Sequence, residues 1–323
     1  MRLGLGLGML APIVVSGASA PTLSSLDFDL ADTLGGGSIT ATGTDLSGAS
    51  VTVGGTSATV TGSTSTTVTF TMPAKSAGSH NVVATTGAGS SNALTIEAWA
   101  PTTDSSCKYL VEKPDYASDT WTARLGSNMS ASSAGHPPAS SGEPSFDGSG
   151  YLTSASNIGA YCGSSGSIAA VVLSTNTETL LTGSNAPSNP LFAANHNTYT
   201  HGVGFGKQGG STSGFAAHGY DTSPAYSGEL FVAASANDPH AVIFRWDMSV
   251  IELNVDGGTF ASQSFAGAET TYFAVPIGCG EQYGGTAQAF RGKLRALVVM
   301  DAKASSTFNT KFYKWSKQRH GVA

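Results

Sequence analysis

Charge is what this sequence has least of. Only 11% of its 323 residues are Asp, Glu, Lys or Arg, against about 25% in an average soluble domain. A chain that is nonetheless 40% hydrophobic and 9% aromatic is not a disordered one. Cysteine is scarce too. Cys107, Cys162 and Cys279 show no CxxC spacing, so neither a disulfide framework nor a thiolate zinc site has a template. They read as small buried thiols. One pair could bridge outside a cell, which leaves at least one unpaired within the chain, and their disulfide state stays open. No apolar run approaches the ~18 residues of a membrane span, so no membrane insertion is expected. The net charge of −6 and the pI near 5.6 exclude steering toward nucleic acid.

Catalytic templates are missing as well. There is no GxSxG elbow, no HExxH or paired His at i, i+4, and no Gly-rich phosphate loop ending in Lys-Ser/Thr. Ser, Thr and 41 glycines take the place of charge. Gly and β-branched Thr are poor helix formers, so the composition predicts an all-β protein of twisted sheets and many turns.

Residues 21–98 bear this out locally. Apolar residues alternate in the sets Val51/Val53, Ala58/Val60, Val68/Phe70/Met72, Val82/Ala84 and Leu94/Ile96/Ala98. Period two means strands that bury one face, and Gly54-Gly55 is a two-residue hairpin signal. About 78 residues suit one small β-sandwich. Pro21-Thr-Leu-Ser-Ser-Leu, Gly35-Gly36-Gly37-Ser-Ile-Thr-Ala-Thr-Gly43-Thr-Asp-Leu46, Val51-Thr-Val-Gly-Gly-Thr56, Met72-Pro73-Ala74 and Ala77-Gly78 together resemble the IPT/TIG family of immunoglobulin-like domains. The resemblance implies a spacer or interaction module. Two basic residues (Arg2, Lys75) against five acidic ones (Asp27, Asp29, Asp32, Asp45, Glu97) up to position 98 argue against a DNA-binding copy.

A linker over residues 99–106 leads into residues 107–323, which are again strand-rich. Three stretches set the pattern: Pro144-Ser-Phe146-Asp147-Gly148-Ser-Gly150-Tyr151-Leu152, the hairpin from His240 to Val255-Asp256-Gly257-Gly258, and Phe290-Arg-Gly292-Lys-Leu294-Arg-Ala296-Leu297-Val-Val-Met300. In that order they resemble the concanavalin A-like, laminin-G-like jelly roll, over residues 109–320. Residues 193–228 depart from the pattern and read as a long Gly-rich loop. Trp121, Trp246 and Trp315 read as core. The one helix is expected near the C-terminus, capped by Ser305 or Ser306, with Phe308, Phe312 and Trp315 as an apolar stripe. From Arg291 onward there are eight basic residues and one acidic, Asp301; a solvated helix face is the expectation for them.

Three kinds of site suggest themselves. The segment 193–228 carries His196, Tyr199, His201, Phe205, His218, Tyr220 and Tyr226. A long loop with its own aromatics is usually functional or ordered by a neighbour, so His196, Tyr199, His201, His218, Tyr220 and Tyr226 are the candidates for carbohydrate, with packing onto the sandwich or a sister subunit as the alternative. Glu252, Asn254 and Asp256 share a strand face, as in jelly-roll glycosidases that place two carboxylates across a sugar bond; a strand edge and turn is the competing explanation, and no catalytic residue is assigned. Asp147, Asp221, Asn237 and Asp238 sit where a jelly roll could hold Ca²⁺, but they form no ligand series, and no cofactor is expected.

Residues 1–20 imitate a secretory leader: one charge, an apolar stretch and Ala18-Ser19-Ala20. Gly alternating with Leu weakens a helix there and sets Leu3, Leu5, Leu7, Met9 and Leu10 for an extended anchoring arm that adds to a neighbour's sheet or threads a groove. An arm, an immunoglobulin-like spacer and a lectin-like jelly roll together resemble bacteriophage virion surface proteins of the head or tail. The resemblance implies a non-enzymatic structural protein on the virion surface, held to other virion proteins through residues 1–20, packed against sister copies, trimers included, and touching host glycan. The alternatives are an exported bacterial carbohydrate-binding protein cleaved near Ala20 and a polysaccharide-degrading enzyme using Glu252 and Asp256.

Overall fold

In a computed structural model, residues 17–131, 139–147, 152–154, 161, 165–175, 190–196, 199–208, 212–220, 226–247, 249–264 and 290–323 are described. The arm residues Leu3 to Leu10, and Cys162 and Cys279, lie outside them. The described chain is all-β apart from one 3₁₀ turn at Pro101–Thr103 and one α-helix. It divides into two compact units: Met1–Asp29, Leu34–Ala74 and Ser79–Ile96 form the first, and Leu30–Thr33, Lys75–Gly78 and Glu97–Ala323 the second.

The strands of the amino-terminal stretch are β1 (Thr22–Leu26), β2 (Leu30–Ala31), β3 (Ser38–Thr44), β4 (Ser50–Val53), β5 (Thr56–Ser63), β6 (Thr67–Thr71), β7 (Gly78–Thr86), β8 (Gly89–Ser90) and β9 (Leu94–Ala98). In the first unit β5 switches sheets. Its opening residues pair with β4 (Val53↔Thr56) and its later ones with β6 (Thr59↔Thr71), antiparallel on both sides. Gly54 and Gly55 turn that hairpin at φ +51° and +76°, the left-handed pair a two-residue turn demands. Val51, Val53, Val68, Phe70, Met72, Val82, Ala84 and Ile96 are buried as the alternation predicts. Ala58 and Val60 are half-buried instead, on a strand otherwise exposed. Gly43 is a packing requirement. A Cβ there would lie 1.8 Å from the Thr22 carbonyl oxygen, where β1 crosses β3 through a bulge. The outer side of β1 is covered at Leu23, whose N–H donates to Asn92 Oδ1 (2.9 Å) and whose carbonyl accepts from Asn92 Nδ2 (3.0 Å).

The second unit adds β10 (Cys107–Ala117), β11 (Thr120–Leu125), β12 (Met129–Ala131), β13 (Ala139–Ser140), β14 (Glu143–Asp147), β15 (Leu152–Ser154), β16 (Gly166–Ser174), β17 (Pro190–His196), β18 (Tyr199–Gln208), β19 (Thr212–Tyr220), β20 (Tyr226–Ala233), β21 (Pro239–Trp246), β22 (Val250–Val255), β23 (Ala261–Ser264), β24 (Arg291–Met300) and α1 (Ser306–His320). One sheet runs β15-β12-β11-β10-β24-β16-β21-β22-β23 with β14 paired to β24, and a second runs β17-β18-β19-β20. Residues 193–228 are therefore not a loop. They belong largely to this antiparallel sheet, which lays Val203, Phe205, Phe215, Ala217 and Leu230 against Val172, Phe244, Trp246 and Leu253 of the large sheet in one apolar core.

The other face of the large sheet is covered by the helix. Ala169, Val171, Ile243, Ala296 and Val298 pack with Phe308, Phe312 and Trp315. The central strands β16 and β24 are thus buried on both faces, which is why they read as near-continuous apolar runs. Ser305 caps α1, its hydroxyl accepting from Phe308 N–H at 3.0 Å. Gly321 ends it at φ +71°, with the Val322 N–H returning to the Ser316 carbonyl, a left-handed stop of the usual kind. The three tryptophans read as core are fully buried.

The basic carboxy-terminal stretch differs from expectation. Lys293 and Arg295 bind Glu143, Lys303 binds Asp247 and Glu252, Lys311 binds Glu97 and Arg319 binds Glu112. Glu97, Glu112, Glu143 and Glu252 sit on other strands and Asp247 just after β21, all far away in sequence, so the stretch knits the unit together rather than facing only water.

Candidate functional site

The carbohydrate candidates gather at one end of the four-stranded sheet. The register places His196 opposite Tyr199, Ala194 opposite His201, Gly202 opposite His218 and Tyr220 opposite Tyr226. Six positions spread over 31 residues of sequence thus fall within a few register steps of one another. They do not all share a face. Positions 199 and 201 alternate in phase with the buried Val203 and Phe205, whereas 218 is out of phase with the buried Phe215 and Ala217. A register shift between His218 and Tyr220 re-phases the end of β19, as a bulge does. The candidates form a rim around a sheet end, not a plate on one face.

The carboxylates of the glycosidase alternative are already engaged. Arg245 holds Glu252 through Nε (3.0 Å) and Nη2 (2.9 Å), and the Lys303 ammonium lies 2.5 Å from the same carboxylate. Burial opposes the charge on Glu252, but those hydrogen bonds prevail and hold the carboxyl below its ordinary range. Asn254 is buried and donates to the Gly258 carbonyl. Asp256 closes the turn at φ +52°, accepting from the Ala241 N–H (2.9 Å) and from His240 Nδ1 (2.6 Å).

His240 touches acceptors on both ring nitrogens, since its Nε2 lies 3.0 Å from the Ser235 carbonyl. Burial lowers its pKa, but Asp256 and that carbonyl more than offset this and leave it raised. The Ser235 hydroxyl is 3.3 Å from Nε2 and donates to Asp238 at 2.7 Å. A serine–histidine–aspartate succession of contacts exists here, yet a base needs a lone pair toward the hydroxyl. This imidazole directs its Nε2 proton to the Ser235 carbonyl, and the arrangement locks a turn.

The calcium candidates are scattered. Asp147 ends β14 opposite Arg291, Asn237 is a left-handed turn residue at φ +69°, Asp238 is bonded to Ser235, and Asp221 lies outside the described residues. Among the described residues no three His, Cys, Asp or Glu side chains group as metal ligands. Cys107 is buried and unbridged, and burial pushes its thiol up to about 12.

Sequence reasoning missed a buried charge network. Arg124 donates to both oxygens of Asp32 (2.8 and 3.0 Å), to Glu112 (2.7 Å) and to the Thr33 hydroxyl (2.7 Å). Trp315 Nε1 also donates to Asp32, at 2.5 Å, and Arg319 Nε to Glu112, at 3.2 Å. Burial raises Glu112, while the guanidinium groups of Arg319 and Arg124 pull it back. His320, wholly buried against the Trp315 ring, is held well below its ordinary range by that burial and by the cations around it, so it is neutral. No sequence pattern announces this network, because its members are up to 283 residues apart.

No curated protein matches the chain. Among solved structures it is similar to domain 4 of AbnA, a GH43 extracellular arabinanase from Geobacillus stearothermophilus, in complex with arabinotriose. That likeness has 10% identity over 64% of this chain and 98% of the other, with a TM-score of 0.43. Trypanosoma rangeli sialidase in complex with sialic acid is similar at 11% identity over 76% of this chain and 43% of that one, TM-score 0.45. A botulinum neurotoxin type C structure, whose cell entry depends on two ganglioside molecules, is similar at 13% identity over 64% and 50%, TM-score 0.45. The chain therefore spans half or less of the latter two. Within the chain itself, residues 21–98 match the family model of the IPT/TIG domain, and that stretch is an immunoglobulin-like domain of this kind.

Proposed function

We propose that this is a non-catalytic display and adhesion protein. The immunoglobulin-like module serves as spacer, and the larger sandwich presents a glycan-binding rim at the end of the β17–β20 sheet. The observation that carries the reading is the register, which brings His196, Tyr199, His201, His218, Tyr220 and Tyr226 to one sheet end. Rings that are apolar in body and polar at the tip suit a sugar, which has an apolar ring face and a hydroxyl edge. The engagement of Glu252 and Asp256 in structural pairs supports binding over hydrolysis. The displaying surface in this reading is a bacteriophage particle, with residues 1–20 as the strap to other virion proteins, and that part rests on the sequence resemblance alone.

Binding of the full-length protein to an array of bacterial surface polysaccharides tests the rim. Tyr199→Ala together with Tyr226→Ala should abolish any signal while leaving the tryptophan-monitored melting curve in place. Retained binding in that variant, or release of shortened sugars by the wild type, overturns the reading. Detection of the chain in purified particles tests the virion placement separately.

A further inference from the structure

The last turn of α1 closes over a buried histidine that makes no side-chain hydrogen bond. His320 is 1% exposed, and neither ring nitrogen has a hydrogen-bond partner among the described residues. A neutral imidazole carries one N–H and one lone pair, and burying either without a partner costs stability. An apolar side chain of similar shape would fill the place without that cost. The ring lies edge-on to Trp315, with centroids 4.5 Å apart.

The charges around the ring come from each element packed on it. Among the described residues, Glu112 on β10 is the carboxylate within 4 Å, with its Oε2 3.6 Å from Nε2. Both its oxygens are engaged: Oε1 by Arg124 Nη1 of β11 (2.7 Å) and Oε2 by Arg319 Nε of α1 (3.2 Å). Asp32, just after β2, is held by Arg124 and by the Trp315 indole. Lys113 on β10 and Arg295 on β24 act on the ring as further cations beside Arg319 and Arg124. Arg295 also fixes the backbone here, donating to the His320 carbonyl at 2.6 Å. A proton on His320 would turn its lone pair into a second donor. Nδ1 would still lack an acceptor, and Nε2 would have to draw Glu112 away from Arg319. Burial and the surrounding cations hold the ring neutral, so acid must unseat the turn before it can charge the ring.

Little else closes this end of the helix. The Gly321 N–H reaches the Lys317 carbonyl at 3.2 Å and the Val322 N–H the Ser316 carbonyl at 3.3 Å. Val322, 4% exposed, lies in one apolar cluster with Leu110 and Trp315. Helix ends are where local opening starts.

We propose that His320 is an acid latch: its protonation releases the last turn of α1 and Val322 from β10, β11 and β24 and uncovers Leu110, while the sandwich stays folded. The device does not rest on the glycan reading. Hydrogen exchange of the full-length protein tests it, followed from pH 7.5 to pH 5 and corrected for the intrinsic pH dependence of exchange. A solvent-exposed histidine titrates near 6.5 and the seated one lower, so opening takes up one proton in between. Linkage then raises the opening constant about tenfold for each unit of pH below that value. The Gly321 and Val322 amides should lose protection with that slope, and the amides of β16, a strand buried along nearly its whole length, should not. His320→Gln and His320→Leu carry no titrating ring and should flatten the slope. Glu112 shifts in the opposite sense and remains in both variants, so their difference from the wild type isolates His320. The wild-type comparison of the helix end with β16 does not depend on either variant folding. The proposal is overturned by a flat profile at Gly321 and Val322 in the wild type, by an unchanged slope in either variant, or by β16 amides that lose protection in step with the helix end.

Discussion

Replacing Asp256 by Asn removes one charge from the turn that follows β22 and is bonded to His240 and Ala241 at the start of β21, and leaves its backbone acceptable, since Asn tolerates the left-handed region. The Asn oxygen can still accept from the Ala241 N–H, so the loss centres on the 2.6 Å contact with His240. A hydrogen bond between charged partners contributes about 1.5–3 kcal/mol, and a neutral one about 0.5–1.5 kcal/mol. The pKa of His240 is raised in the folded protein, above the unfolded value of about 6.5. Its ionic contribution is therefore complete below that value and is lost as pH rises through the folded pKa. Asp256→Asn should cost the larger sum at pH 5.5, roughly 3–12 °C in Tm for a unit of this size, and the smaller one at pH 8.5. Tryptophan fluorescence is the assay, because Trp99, Trp121, Trp246 and Trp315 all fall in the second unit. An equal loss at both pH values, or a greater loss in base, would refute the assignment of an imidazolium–carboxylate pair.

Arg124→Met should be far more damaging, by about 3–5 kcal/mol, because Asp32 and Glu112 would be left buried and charged. Burial already raises Glu112, so acidification from neutral pH toward pH 5 should recover part of that loss in the same fluorescence melt; a pH-independent loss would contradict the network. Ser305→Ala removes the hydroxyl that caps α1 and should cost about 1 kcal/mol in chemical denaturation, with Ser305→Asp restoring most of it.

What the sequence disclosed, and what it concealed, follows from where each signal resides. Val68, Phe70 and Met72, or Phe308, Phe312 and Trp315, announce their elements because burial periodicity is local. The four-stranded sheet was concealed by glycine. Along β18 the buried Val203 and Phe205 alternate with Gly202, Gly204 and Gly206, so the polar half of the usual in–out pattern is missing. The period of two was present, and a reading that let glycine stand for the outward position would have found the strand. The six rim positions were legible as residue types, but only strand register could bring them to one end of a sheet. Ion pairs are less legible still: nothing near Arg319 or Arg124 in sequence indicates Glu112 as partner, and the basic run from Arg291 onward looks solvated until strands far from it supply the acids.

The side-chain amide of Asn92 imitates a neighbour's peptide group at the outermost strand of the immunoglobulin-like module, offering Leu23 both a donor and an acceptor. A single residue thus acts as a one-link counterfeit strand. Molecules brought close together in an ordered array are threatened by edge-to-edge polymerisation, and this module meets a would-be intruder at Leu23 with hydrogen bonds already occupied. Assembly of many copies side by side would then have to proceed through contacts other than annealing along that border.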